Sequence, residues 1–148
     1  MLGIKKQKDE ATTVREFMEA LEKKIKSCAE AAEDAFARAL KRGITEGIRS
    51  SHFALSYETE KEVWGELEVY LNGAIKQEGE TIKALRKGYA AFERRMLERV
   101  LYNEPASGSI DPVSAGVDAL IQEIYKRMLR NDLKILGDSL SEAEGKGD

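Results

Sequence analysis

The sequence has one cysteine and one histidine in 148 residues, and this scarcity excludes several kinds of site. A disulfide within the chain needs two cysteines, and zinc sites of thiolates and imidazoles need more ligands than Cys28 and His52 supply. A di-metal helical bundle needs a glutamate three residues before each inward histidine, and that position before His52 is Arg49. We therefore expect no metal and no cofactor, and the single thiol favours a cytoplasmic protein.

Prolines, aromatic residues and long apolar runs are also scarce. The chain has two prolines and 7% aromatic residues, and no apolar run approaches the length of about 18 residues that a transmembrane helix needs. Charged residues make up 34% of the chain, but the net charge is only −3. The chain as a whole therefore lacks the excess of one sign that is typical of proteins bound to polyelectrolytes.

The residues that are abundant favour helices. Alanine, glutamate, lysine, leucine and arginine dominate, while asparagine and glutamine are limited to three each, a composition similar to that of thermophilic proteins. An unbroken heptad seam lies near the start of the chain: Val14, Met18, Leu21, Ile25, Cys28, Ala32, Ala35 and Ala39. This seam indicates one long helix packed against other helices, in the manner of a coiled coil.

The seam changes character along its length. Large side chains from Val14 to Ile25 give way to alanines from Ala32 to Ala39, and small residues allow helix axes to approach closely. We therefore predict a bundle that is wide at the start of the first helix and tight at its alanine end. Only the second helix or a second copy of the chain is available to close that end, so we expect a partner there.

Capping signals define the first predicted helix. It begins near Thr13, which forms a capping-box pattern with Glu16, and it runs to about Lys41 with a possible extension to Arg49. Residues 50–58 are predicted to connect it to the second helix.

Two more helices follow. The second begins near Thr59 and runs to a loop over residues 103–109, and the stretch around Gly79 is the expected place for a kink or break. The third begins at Asp111, an N-cap followed by proline, and ends near Gly137.

The sequence therefore predicts an all-α protein. Its architecture is an elongated antiparallel bundle of three long helices, or of four if the second helix breaks near Gly79. Residues 1–10 are expected to be a flexible basic leader, residues 11–137 a single helical bundle domain, and residues 138–148 a disordered acidic tail.

The predicted helix lengths leave apolar surface uncovered. At about 1.5 Å per residue the second helix spans roughly 65 Å and the third only about 38 Å. Either the second helix breaks near Gly79 and forms a compact four-helix bundle, or the uncovered strip pairs with another copy. We predict a homodimer.

A basic belt is predicted at the middle of the bundle. Turning the chain at residues 103–111 places residues 126–134 beside about residues 80–88. The cations brought together in this way are Lys83, Arg86, Lys87, Lys126, Arg127, Arg130 and Lys134. They suit an acidic protein, a nucleic-acid backbone or an anionic lipid surface, although nearby acids also suit a simple solvated face.

No catalytic constellation is visible in the sequence. Cys28 lies on the seam and is expected to be a small core residue, and Trp64 is expected to plug the core at the end of the bundle. His52 falls in the predicted connection, where a solvated role is the ordinary one. Glu78 replaces an apolar residue of the second helix, so it is either a solvent-facing acid at a kink or a general base.

Three functional hypotheses follow. The leading one is a non-enzymatic assembly or adaptor protein that acts through protein–protein contacts, such as a structural or accessory protein of a thermophile or of its virus or plasmid. The alternative is a nucleic-acid-associated accessory protein that binds the phosphate backbone through the basic belt. The third is a small enzyme that uses carboxylates around Glu78.

Overall fold

The computed structural model describes residues 9–102 and 111–147, which form five α-helices and no strand. The helices are α1 (Glu10–Leu40), α2 (Ile44–Glu78), α3 (Ile82–Leu101), α4 (Pro112–Arg130) and α5 (Asp132–Gly147). The all-α prediction is confirmed, and the break near Gly79 favours the four-helix alternative, since α4 and α5 follow one another directly. In the part of the chain that the structure describes, no helix is both long and apolar enough to cross a bilayer.

The turn between α1 and α2 comes earlier than predicted. Residues 41–43 form it, and Gly43 has a φ of +84°, a conformation that costs glycine little and other residues more. The predicted connection over residues 50–58 is wrong, because these residues are helical inside α2. Thr59, the predicted N-cap, is instead a buried residue in the middle of that helix.

An early, short turn also sets the register of α1 against α2. The ammonium of Lys24 lies 5.8 Å from the centre of the Trp64 ring, and at the other end Gly47 packs against Ala39. A Cβ on Gly47 would lie 2.7 Å from the carbonyl oxygen of Ala39, so the helices are in close contact at the alanine end of the seam.

The break between α2 and α3 is held by the first turns of α1. Gly79 has a φ of +90°, and the Thr81 hydroxyl accepts a hydrogen bond from the backbone N–H of Ala84, which caps α3. The Glu10 carboxylate accepts a second one from the N–H of Ile82 at 2.9 Å. Arg15 binds Glu80 through two hydrogen bonds of 2.6 and 2.9 Å.

Helix α3 folds back along α2, and the break thereby pairs the acidic first half of the predicted second helix with its basic second half. Arg99 binds Glu66 at 2.5 and 2.7 Å, and both side chains are partly buried. The close approach of the helices depends on Gly88, where a Cβ would lie 2.9 Å from the Tyr70 carbonyl oxygen.

Helices α4 and α5 complete the bundle. The predicted N-cap of α4 is confirmed, since the Asp111 carboxylate accepts hydrogen bonds from the N–H groups of Val113 and Ser114. The chain bends at Asn131, and the Tyr89 hydroxyl on α3 then donates a 2.6 Å hydrogen bond to the Leu133 carbonyl.

The predicted disordered tail is corrected by α5. Residues 138–147 are helical because Leu140 is buried in the core and Glu144 binds Arg86 of α3 at 3.0 Å. The predicted leader and the predicted loop over 103–109 lie outside the described residues, apart from Asp9, which precedes α1, and Glu10, which begins it.

The core follows the contact between α1, α2 and α3 and extends under α5. Cys28 and Trp64 are both buried in it, as the sequence predicts, although Trp64 lies in the middle of α2. The largest fully buried side chains are Phe92, Leu67, Leu71, Leu85, Met96, Met128 and Leu133.

Candidate protein–protein interface

The first part of α2 extends beyond α3. Helix α2 has 35 residues and α3 has 20, and the Glu66–Arg99 pair places the end of α3 near the middle of α2. The α1–α2 hairpin therefore continues past the three-helix core. Its large apolar residues have no described neighbour to cover them: the exposed fractions are 55% for Phe36, 69% for Leu40, 85% for Ile44 and 69% for Ile48.

These residues line one continuous depression, which we call the apolar groove. Its tip half lies at the turn, has a volume of about 370 Å³ and is lined by Phe36, Ala39, Leu40, Gly43, Ile44, Gly47, Ile48 and Ser51. Gly43 and Gly47 line this half and contribute no side chain to it.

The base half of the apolar groove lies between the hairpin and the start of α4. Its volume is about 710 Å³, and its apolar lining includes Ala32, Leu55, Val113, Val117 and Leu120. Phe36, Ile48 and Ser51 line both halves, so the two form one surface. Val113 lies at the rim and is 76% exposed.

The polar groups in the apolar groove are engaged within the hairpin. The Ser51 hydroxyl donates a hydrogen bond to the Ile48 carbonyl at 2.6 Å. His52 lies in α2 rather than in a connection; its Nδ1 bonds the Arg49 carbonyl oxygen, and its ring stacks against Phe53 at 4.1 Å between centroids. No proton acceptor is thus aligned with a nucleophile among these groove residues, and the surface suits apolar contact.

Charges of opposite sign lie at the two ends of the groove. Glu33 and Glu58 line the base half, where Glu58 also pairs with Lys61 at 3.1 Å. Lys41 and Arg42 lie in the turn at the tip, where Arg42 donates to the Ser50 hydroxyl at 3.1 Å. The apolar groove is therefore acidic at its base and basic at its tip.

The predicted basic belt is largely engaged within the chain. Lys87 binds Glu78 at 2.6 Å and Arg86 binds Glu144 at 3.0 Å. On α4, Lys126 lies 3.4 Å from Glu123 and Arg127 binds Glu60 at 3.1 Å.

The remaining belt residues follow a shifted register. Arg130 ends α4 and Lys134 lies in the first turn of α5, while Lys83 lies in the first turn of α3. The contact of Tyr89 with Leu133 places residues 126–134 beside α3 beyond residue 88, rather than beside residues 80–88. The seven cations therefore belong to three helices, α3, α4 and α5, in a register that differs from the predicted one.

The two candidate reactive groups are placed in inert settings. Burial raises the pKa of the Cys28 thiol, which keeps it protonated and unreactive. Glu78 lies on the surface at the end of α2, and the hydrogen bond from Lys87 lowers the pKa of its carboxyl, the opposite of what a general base near neutral pH needs. Within residues 9–102 and 111–147, no three metal-binding side chains gather.

Comparison with protein-family models, with curated proteins and with solved structures finds no match for this chain.

The sequence indicates the alanine end of α1 as the place for a partner but misses the residues that form the surface there. Ile44 and Ile48 both fall in the possible extension of the first predicted helix to Arg49. The available signal was Gly43 followed by two isoleucines four residues apart, which is typical of a new helix with an apolar stripe.

Proposed function

We propose that this chain is a non-enzymatic helical assembly protein that acts through protein–protein contacts at the apolar groove, with a second copy of itself as its partner. The single observation that carries the proposal is the continuous exposed apolar surface at the projecting end of the hairpin. Contiguous surfaces of this kind are rare on monomers and mark interaction sites.

The size of the surface suits a stable contact. Six of its large apolar side chains are mostly or nearly half exposed: Phe36, Leu40, Ile44, Ile48, Val113 and Leu120. If each buries about 100 Å² of exposed surface, they supply about 600 Å² per chain, or about 1,200 Å² for two copies. This exceeds the ~1,000 Å² of buried surface expected of a specific interface.

The test is the mass of the full chain in solution, with a matched pair of substitutions. Light scattering after size exclusion at micromolar concentration is expected to give twice the 16.5 kDa of one chain. Ile48→Glu places a charge in the apolar groove and is expected to yield monomers. Ile135→Glu changes the same residue type at nearly equal exposure (66% against 69%) outside the groove, and this control is expected to remain dimeric. A wild-type monomer would overturn the proposal.

The basic residues provide a separate check on the alternative function. A protein that binds the phosphate backbone retards duplex DNA strongly at about 50 mM salt and weakly at higher salt, because binding releases counterions. We expect no retardation at low salt, since four of the seven belt cations already bind carboxylates of this chain. Salt-sensitive retardation that is lost in Arg130→Glu would favour the nucleic-acid function instead.

A further inference from the structure

The apolar groove also carries information on how two copies are arranged. We propose that they pack antiparallel about a two-fold axis beside Phe36 and Ile48, so that the hairpin tip of each copy lies in the base half of the other's groove. This arrangement rests on the proposed function, because it requires the apolar groove to bind a second copy. It goes further by fixing the orientation and the residues that meet.

The two halves of the apolar groove are continuous. Phe36, Ile48 and Ser51 line both the tip half and the base half, so they mark its centre. A two-fold interface brings the same patch of both copies together, with each off-centre residue meeting its counterpart on the opposite side of the axis. An axis at the shared residues therefore places Leu40 and Ile44 of one copy against Val117 and Leu120 of its partner.

The two halves of the apolar groove differ in shape. The tip is narrow and its apolar side chains project, as the 85% exposure of Ile44 indicates. The base half has the larger volume, about 710 Å³ against 370 Å³, because the start of α4 forms a third wall. A projecting tip thus has a wider recess to enter, and both copies bury their exposed residues at once.

The two ends of the apolar groove carry charges of opposite sign. Lys41 and Arg42 lie at the tip, and Glu33 and Glu58 lie at the base. Glu33 on α1 and Lys41 at its C-cap each lie four residues from Ala37, which neighbours Phe36, so an axis there brings them together across the interface. A parallel arrangement would instead bring the two basic tips together, and like charges placed opposite one another disfavour association.

The decisive experiment is a charge reversal with rescue, measured as the dimer dissociation constant by sedimentation equilibrium at low salt. Lys41→Glu alone and Glu33→Lys alone are each expected to weaken the dimer by about tenfold or more, since each change creates two like-charge contacts per dimer. The double variant restores opposite charges in the antiparallel arrangement only, and its dissociation constant is expected to return to within about threefold of wild type. Lys26→Glu reverses an exposed lysine of α1 outside the groove and serves as the control.

Cysteine cross-linking gives an independent readout of orientation. Because Cys28 is buried, new thiols can be placed at Lys41→Cys in one preparation and Glu33→Cys in another. Mixed under mild oxidation, they are expected to form the 41–33 cross-link faster than either cross-link between like positions.

The outcomes separate the two proposals. A wild-type monomer overturns the proposed function and this arrangement together. A dimer that Ile48→Glu disrupts, but whose double charge variant is no tighter than the single variants, overturns the arrangement alone. Preferential cross-linking between two copies of Lys41→Cys does the same, because it indicates a parallel pair.

Discussion

Gly88 of α3 lies so close to Tyr70 of α2 that a Cβ on Gly88 would be 2.9 Å from the Tyr70 carbonyl oxygen. The same Cβ would meet the Leu71 Cα and the Ala74 Cβ at 3.2 Å. Glycine within a helix costs roughly 0.5–1 kcal/mol relative to alanine, so its presence here is explained by the tight packing of the two helices.

Replacing this glycine is expected to destabilise the protein. Gly88→Ala forces α2 and α3 apart and should lower the free energy of unfolding by about 1–3 kcal/mol, as overpacked cores do. The control is Gly65→Ala, where a Cβ meets nothing within 4 Å, and which should raise it by about 0.5–1 kcal/mol. Urea unfolding at one fixed protein concentration measures both. Equal effects of the two substitutions would contradict the close approach.

The ion pair between α2 and α3 is expected to contribute to stability. Glu66→Gln weakens the paired hydrogen bonds with Arg99, and because both side chains are partly buried the loss should be about 1–2 kcal/mol. Glu123→Gln, in an exposed pair with Lys126, should cost less than about 0.5 kcal/mol. Chemical denaturation of the two variants and of Arg99→Met gives the comparison, and a loss as large for Glu123→Gln would contradict it.

Acid should weaken the Arg15–Glu80 ion pair at the α2–α3 break. The hydrogen bond from Arg15 lowers the pKa of Glu80, so its stabilising effect is present above the unfolded pKa of about 4.3 and is lost as the pH falls through the lower folded value. Glu80→Gln should therefore lower the melting temperature at pH 7, and the difference from wild type should shrink as the pH falls through the folded pKa of Glu80, because both side chains are then neutral. Calorimetry across this range tests the sign, and a difference that grows on acidification would refute it.

High pH should weaken the contact between α3 and α5. Burial raises the pKa of the Tyr89 hydroxyl, so the stability it contributes is complete below the unfolded pKa of about 10 and is lost as the pH rises through the folded value. Tyr89→Phe leaves the Leu133 carbonyl without this donor, which should cost about 1–2 kcal/mol at pH 8 and reduce the loss of stability above pH 10. The control is Tyr70→Phe, which retains its edge contact with Phe92. Guanidinium titrations at both pH values give the measurement.

The sequence predicts the helical class and the N-cap at Asp111 because these depend on local composition and on neighbouring residues. It fails at the first turn, where Ser50 to Glu58 have the composition of a connection but are helical within α2, next to the buried Thr59. The glycine at 79 marks the place where a break is expected. The contacts that stabilise the break come from Glu10 and Arg15, which lie more than sixty residues away.

The sequence places the candidate site at the alanine end of α1 but does not identify the residues that form it. The taper of the seam toward Ala39 indicates a place that the chain alone does not close. Whether Phe36, Ile48 and Val117 share one groove depends on where α4 begins relative to the hairpin, and no local pattern contains that information. The register predicted for the basic belt relied on a continuous second helix, and the structure breaks that helix at Gly79.

The bond between Glu10 and Ile82 has a consequence for biosynthesis. Helix α1 leaves the ribosome first, but the amide it caps is made 72 residues later, a delay of roughly 4–14 s at 5–20 residues per second. During that interval the heptad seam can pair with α2 but not with the α2–α3 turn. The nascent chain therefore completes its hairpin before its core, and the tip half of the apolar groove is finished before α4 adds the third wall of the base half.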